Sequence, residues 1–355
     1  MKKITGFFIT ACLMLTIVVA STSCQKDDTV GGKASSNPHV DSISPGSGSA
    51  NATLTVMGSG LGQIQTIVFD SGSIEAPFNP VFNTDNAIIF RVPTDAIPAA
   101  QNIVMTNAMG KQIIIPFLVL GLPTVTDVSN YNYGTGYGNI VLTGKNFADV
   151  YHVALAGTTD STIIVSQTAT TLTLQMPSGI QTDNRLNISN QAGTITTTQS
   201  FVNVDNTFAL FTDNYAPGYQ DASWGDGGYV NTSLFKSGTA SVSKNYQKGN
   251  WHQLGIGWTN INKADNYKYL SFWVHGGTSD YNLWISTSAS EGGFASFNDY
   301  DKIAVPANVW TYYKLPVADL KLWATADAFN QIGWRIQGPN DEDQLISLDD
   351  VLFIK

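Results

Sequence analysis

Cysteine is almost missing from this chain. Two occur in 355 residues, Cys12 and Cys24, both near the start. Nothing further along can build a disulfide, a CxxC metal site or a thiol nucleophile, so the domains must be stable by packing alone. Charge is scarce too. Asp, Glu, Lys and Arg make up 13% of residues, about half the usual share for a soluble protein. Glutamate occurs three times, at Glu75, Glu291 and Glu342. Long helical runs of Glu, Lys, Ala and Leu are absent, and Gly, Ser, Thr and Asn take their place. That is the composition of an all-β chain with many turns. No basic cluster follows the first few residues, and the formal net charge is -9. A nucleic-acid partner is excluded, because phosphate neutralisation needs clustered Lys and Arg. Tryptophan, finally, is missing from the first 223 residues; all eight lie between Trp224 and Trp334.

What is present begins with an address. Lys2 and Lys3 precede an apolar run from Ile4 to Ala20, and Ser21-Thr22-Ser23-Cys24 follows. A basic start, an apolar stretch and small residues describe an export signal over residues 1–24. A transmembrane anchor is the competing reading, for which the run is slightly short. The segment resembles a bacterial lipoprotein signal, which implies lipidation of Cys24. Lys26-Asp27-Asp28 resembles the motif that sends Bacteroidota lipoproteins to the outer surface. The resemblance implies an outer-membrane protein facing outward, with a lipid anchor as its only hold on the membrane. Residues 25–37 are polar and rich in Gly and Ser, and read as a flexible tether.

A repeat of about 84 residues comes next. Pro38-His39-Val40 matches Pro123-Thr124-Val125, Leu54-Thr55-Val56-Met57-Gly58 matches Ile140-Val141-Leu142-Thr143-Gly144, and Asn107-Ala108-Met109-Gly110 matches Asn190-Gln191-Ala192-Gly193. Short alternating apolar runs between turn residues predict a small β-sandwich in each copy, 38–121 and 122–204. Gly58 and Gly110 are expected at turns that need positive φ. The units resemble immunoglobulin-like IPT/TIG domains. Neither gathers titratable residues, His39 and His152 stand alone, and Gly134–Gly138 lacks the Lys and helix of a phosphate loop. Both units read as spacers.

From 205 to 355 the strands are heavy in aromatics. Period-two alternation assigns Leu254, Ile256 and Trp258 to the core, and likewise Leu270, Phe272, Val274, Leu283, Ile285, Ile332, Trp334 and Ile336. Trp310 is also expected inside. The residues ejected are Trp251, Gln253, Trp273, His275, Asn282, Trp284, Arg335 and Gln337, with glycines beside Gln253 leaving room for an approach. Flat rings mixed with amide and guanidinium donors suit a polysaccharide, since pyranose faces stack on indole and hydroxyls need polar partners. The order Leu270-Ser271-Phe272-Trp273-Val274, then Trp310-Thr311-Tyr312-Tyr313-Lys314-Leu315-Pro316, Ile332-Gly333-Trp334-Arg335-Ile336-Gln337 and Leu348-Asp349-Asp350-Val351-Leu352-Phe353 resembles a galactose-binding-like jelly roll.

The expected architecture is therefore all-β: two IPT/TIG sandwiches in tandem, then the jelly roll. The whole chain resembles the surface glycan-binding proteins of the Bacteroidota. That resemblance implies a non-catalytic protein capturing a plant β-glucan or hemicellulose such as xyloglucan for an outer-membrane glycan transporter complex. No cofactor is expected, and for Asp349 a structural calcium site and a plain hydrogen-bonded turn stay open. Two other functions compete. A glycosidase or lyase would need a carboxylate pair, and Asp226, Glu291, Asp299 and Asp301 form no recognisable one. An adhesin would turn the same aromatics to protein.

Overall fold

A computed structural model describes residues 32–355. The export signal, Cys24 and the Lys26-Asp27-Asp28 motif lie outside them. The described chain is all-β, and none of its helices is long and apolar enough to cross a membrane. It divides into two compact units, residues 32–121 and Leu122–Lys355.

The first unit is a two-sheet sandwich. One sheet orders Ala34–Ser44, Thr53–Leu61 and Ala87–Arg91; the other is built around Gln112–Leu120, Ala100–Asn107 and Ile64–Phe69. Leu54, Val56, Phe69, Ile103 and Phe117 meet between them. The first strand starts at Ala34 and pairs with Leu61, so the last four residues of the expected tether are strand. Gly110 has φ 71°, as its turn requires. Gly58 does not have positive φ. It is glycine because a Cβ there would lie 2.1 Å from the His39 carbonyl oxygen, and Gly144 in the second repeat is held in the same way by Thr124, at 1.7 Å. Both glycines sit beside register shifts with the first strand of their repeat. The repeat thus extends to a close backbone approach.

The second unit holds two sandwiches packed together. Residues 124–203 form two four-stranded sheets around Leu142, Phe147, Leu174, Ile188 and Phe201. Residues 208–354 form a larger sandwich. Its front sheet runs Gln220–Asp221, Gln253–Asn262, Ala328–Arg335, Tyr281–Thr287 and Lys302–Val305. Its rear sheet runs Tyr229–Asn231, Ser241–Tyr246, Gln344–Ile354, Tyr269–His275 and Trp310–Pro316, with Phe208–Phe211 also on Gln344–Ile354. Leu254, Ile256, Leu283, Ile285, Ile332 and Trp334 face Phe272, Val274 and Leu348 across the core. Trp334 is fully buried with its ring edge-on to Phe272 at 5.2 Å. Tyr246 ties the layers: its hydroxyl donates to the Trp334 carbonyl (2.6 Å) and accepts from the Leu254 amide (2.8 Å).

The second repeat is more than a spacer, because it covers the outer face of the rear sheet. Tyr131 stacks on Tyr312 at 4.5 Å and lies 5.8 Å from Trp273. Asn130 accepts from the Trp273 indole at 3.2 Å. Val202 and Val204 pack with Leu352 and Ile354. Lys314 reaches Asp183 at 2.5 Å and Ser200 at 2.8 Å. At the centre, Asp350 accepts from Asn132 (2.8 Å) and from Tyr137 (2.5 Å), the one aromatic of the Gly134–Gly138 loop. A residue with φ 48° at Asp350 turns two consecutive aspartates inward, and both are buried.

Candidate functional site

The front sheet's outer face holds the aromatic cleft. Antiparallel register places Gln253 beside Arg335, Arg335 beside Trp284, and Trp284 beside Lys302, one row across four strands. The apolar alternates of these strands are in the core, so the row faces outward by necessity. The next row holds Gly255, Gly333 and Ser286. Gln253's own side chain fills the space over Gly333, where a Cβ would meet it at 2.2 Å, and the Ala222 backbone closes on Gly255 at 2.3 Å. The glycines expected to admit a ligand instead let the chain pack on itself.

Two flanking segments raise walls above this floor. Trp224 pairs by backbone with Gln253, its amide donating to the Gln253 carbonyl at 2.9 Å. The loop after Thr287 turns at Gly292 and Gly293, with φ of 79° and 57°, and brings in Phe294 and Phe297. Arg335 donates to the Phe294 carbonyl, and its guanidinium lies 4.4 Å from the Trp224 ring, 5.4 Å from Trp251 and 5.2 Å from Phe297. Together Trp224, Gln253, Trp258, Phe294, Gln331 and Arg335 line much of a cleft of about 610 Å³. Trp224, Trp251 and Trp258 are 51%, 42% and 52% exposed, far above the other large aromatics of the sandwich core. Buried polar atoms without a partner collect in the floor: Gln253 Oε1, Arg335 Nε, Ser286 Oγ and Trp284 Nε1. No carboxylate lines this cleft.

A second cleft of about 360 Å³ lies on the other side of Trp284, lined by Asn282, Trp284, Gln337 and the acids Asp280, Asp341 and Glu342. The eight residues singled out in the sequence are therefore divided. Gln253 and Arg335 line the first cleft, with the Trp251 ring beside it at 5.4 Å from the Arg335 guanidinium, and Asn282, Trp284 and Gln337 line the second. Trp284 is only 8% exposed, beneath Phe297 (5.6 Å, edge-on) and with the Lys302 amine 5.5 Å above its ring. Trp273 and His275 belong to neither. Their strand is in the rear sheet, where the second repeat covers Trp273 to 4% exposure and His275 pairs edge-on with Trp310 at 5.2 Å.

Two further expectations are corrected. Trp258 is outside the core: its strand takes four steps from Gly257 to Ile261 while the partner takes two, from Gln331 to Phe329. That bulge, with φ 101° at Trp258, swings the ring out, where its indole donates to the Asp221 carbonyl at 3.2 Å. Trp310 is half-buried on the rear sheet's outer face and is no core residue. Period-two alternation does not single out Trp224. Its Ala-Ser-Trp-Gly-Asp-Gly-Gly surroundings offered a signal: no apolar neighbour exists to take the ring inside.

Of the candidate acids, Asp301 is buried and burial pushes its carboxyl up to about 6, yet it lines neither cleft. Glu291 meets the Tyr300 hydroxyl at 3.4 Å. Asp349 accepts backbone N–H groups from Lys236 (2.8 Å), Ser237 (3.0 Å) and Asp350 (2.8 Å). These donors satisfy both carboxylate oxygens, and no group of three or more His, Cys, Asp or Glu able to hold a metal occurs among the described residues.

Comparison with known proteins gives a family for the first repeat: residues 38–113 match the IPT/TIG domain. No curated protein matches the chain in sequence. Among solved structures it is similar to a surface glycan-binding protein from Prevotella bryantii (18% identity, 91% of this chain and 99% of that one, TM-score 0.45). It is also similar to SGBP-B from a complex xyloglucan utilization locus in Bacteroides uniformis (17%, 90% and 99%, TM-score 0.44). A family 11 carbohydrate-binding module from Clostridium thermocellum, in complex with a mixed-linked tetrasaccharide, aligns with 41% of this chain and 94% of its own (13% identity, TM-score 0.29).

Proposed function

We propose that the protein captures polysaccharide without cleaving it, and that the sugar chain stacks in the cleft of Trp224, Trp251 and Trp258. One observation carries this reading: three tryptophans stand half-exposed around a floor of amide and guanidinium groups, and no carboxylate lines the space. Exposing three large rings costs free energy that a core would recover, so a ligand is the natural occupant. Hydrolysis would need two carboxylates across the scissile bond. One similar structure is of a protein from a xyloglucan utilization locus and another is of a module holding a mixed-linked tetrasaccharide; a β-glucan or hemicellulose is the glycan class expected for this chain.

In the same reading an acylated Cys24 anchors the protein to the outer membrane, facing outward, and it hands glycan to an outer-membrane transporter complex. Each stacked ring is worth about 1–2 kcal/mol at ~25 cal/mol per Å². Two or three rings, less the ordering of a flexible chain, give a dissociation constant of about 1 mM to tens of μM. Many copies on one surface then hold a polymer by avidity. Affinity electrophoresis of the purified protein on plant polysaccharides tests the reading. Retardation without new reducing ends is expected; product that vanishes on Asp299→Asn or Glu291→Gln substitution would promote the enzyme.

A further inference from the structure

Arg335 carries a charge that no ion pair among the described residues balances. It is 7% exposed, and among the described residues the ion pairs are His39–Asp41 and Lys314–Asp183, neither of which involves it. Its Nε has no hydrogen-bond partner, and Nη1 has only the Phe294 carbonyl. The rings of Trp224, Trp251 and Phe297 attract the guanidinium, but they bring no negative charge. A guanidinium removed from water ordinarily takes a carboxylate with it, because its desolvation is otherwise uncompensated. Burial alone acts on its titration, downward, as expected where no acid is near.

Its position decides what this means. Arg335 does not point into the core; it lines the open tryptophan cleft. Lys302 stands in the same row, two strands away, over the Trp284 ring. A chain of net charge -9 has put cations along this row and no acid along the cleft. The acids Asp280, Asp341 and Glu342 are set apart in the neighbouring cleft, where they would repel an anion and confine it to the Arg335 side.

We infer that the glycan this cleft takes carries carboxylates: a polysaccharide with uronic acid residues, whose carboxylate docks on Arg335 while the sugar ring lies on a flanking tryptophan. The inference rests on the proposed glycan capture and narrows it. A planar guanidinium pairs with a carboxylate more strongly than with a neutral hydroxyl, because charge-assisted bonds are the stronger kind.

The test pairs each acid with its own neutral form. Glucuronoxylan and polygalacturonate, each beside its carboxyl-reduced counterpart, and neutral xyloglucan and mixed-linkage β-glucan are titrated into the full-length mature protein by calorimetry. At least one acidic polymer should bind at least ~10-fold tighter than its reduced form, with the margin shrinking as salt rises. Arg335→Met should abolish the margin and Arg335→Lys should keep part of it. Thermal melts show whether the variants fold, and the salt series on the unaltered protein stands without them. Equal binding of acidic and reduced polymers, or neutral glucans bound as well as either, would overturn the inference and leave glycan capture intact. If no polysaccharide binds, the proposed capture fails and the inference fails with it.

Discussion

Trp273 and Trp284 look alike in sequence and do different work. Each stands between apolar alternates on a strand of the larger sandwich, so each is turned out of the core. Trp273 leaves the rear sheet and meets Tyr131, Tyr312 and the Asn130 amide oxygen. Trp284 leaves the front sheet and meets one loop ring, Phe297, between two clefts. Alternation reports that a side chain has left the core. What it meets outside depends on whether another domain is packed there.

The comparison breaks hardest if the rear face is uncovered. A fragment beginning at Asp205 exposes Trp273, Tyr312, Leu352 and Ile354 and strips Asp350 of Asn132 and Tyr137. Reading both repeats as spacers implies that this fragment is stable alone; the packing of the second repeat on the rear sheet predicts a loss of stability instead. Exposing that apolar patch and losing its hydrogen bonds costs about 3–5 kcal/mol, so melting should fall by roughly 10 °C relative to a fragment starting at Leu122. Equal melting temperatures would show that the cover is incidental.

Trp334→Ala sets the scale for a true core ring, with a loss of about 3–5 kcal/mol in thermal melts. Trp273→Ala should follow at ~2–4 kcal/mol, since its ring is covered almost as fully, while glycan affinity in the folded protein stays unchanged. A loss of affinity with normal melting would return Trp273 to the binding set.

On the front face the order of effects reverses. Trp224→Ala or Trp251→Ala should weaken glycan binding about tenfold, ~1.4 kcal/mol by calorimetry, and leave melting nearly untouched. A variant that melts early without losing affinity would make the exposed rings structural.

The smallest effect is a pH dependence confined to the rear face. Burial, and then the Asp350 charge, pushes Asp349 up to about 8, while an unfolded aspartate sits at about 3.9. The folded state holds that proton more tightly, so the contribution to stability is complete below about 4 and is lost as pH rises through about 8. His252 and His275, lowered by burial, act in the opposite sense below about 6.5, so melts belong between pH 7 and 9. Stability should decline from pH 7 to about 8 and level off above it, and Asp349→Asn should flatten the slope. A flat profile in the unaltered protein would place Asp349 as an ordinary carboxylate.

Much of this was legible in the chain. Leu254, Ile256, Leu283, Ile285 and Ile332 alternate so regularly that Gln253, Arg335 and Trp284 had to share the opposite face. The glycine-marked repeat followed from Leu54-Thr55-Val56-Met57-Gly58 and its counterpart, although Gly58 proved to serve a close approach and not a turn. The failures have physical causes. Period two cannot see a bulge, so it puts Trp258 inside. Trp224 lies in a loop with no period to read. Alternation puts Trp273 with the binding residues because a strand does not disclose which sheet it joins or what covers that sheet.

The bulge at Trp258 has a consequence for how such a cleft can change over time. The ring stands in the cleft because its strand carries two more residues than its partner between Gly257 and Ile261. Insertion and deletion, events that surface loops tolerate and cores do not, could therefore advance or withdraw a stacking platform here while Leu254 and Ile256 keep their places. Strand length becomes a heritable setting for ligand choice, adjustable without altering one buried side chain.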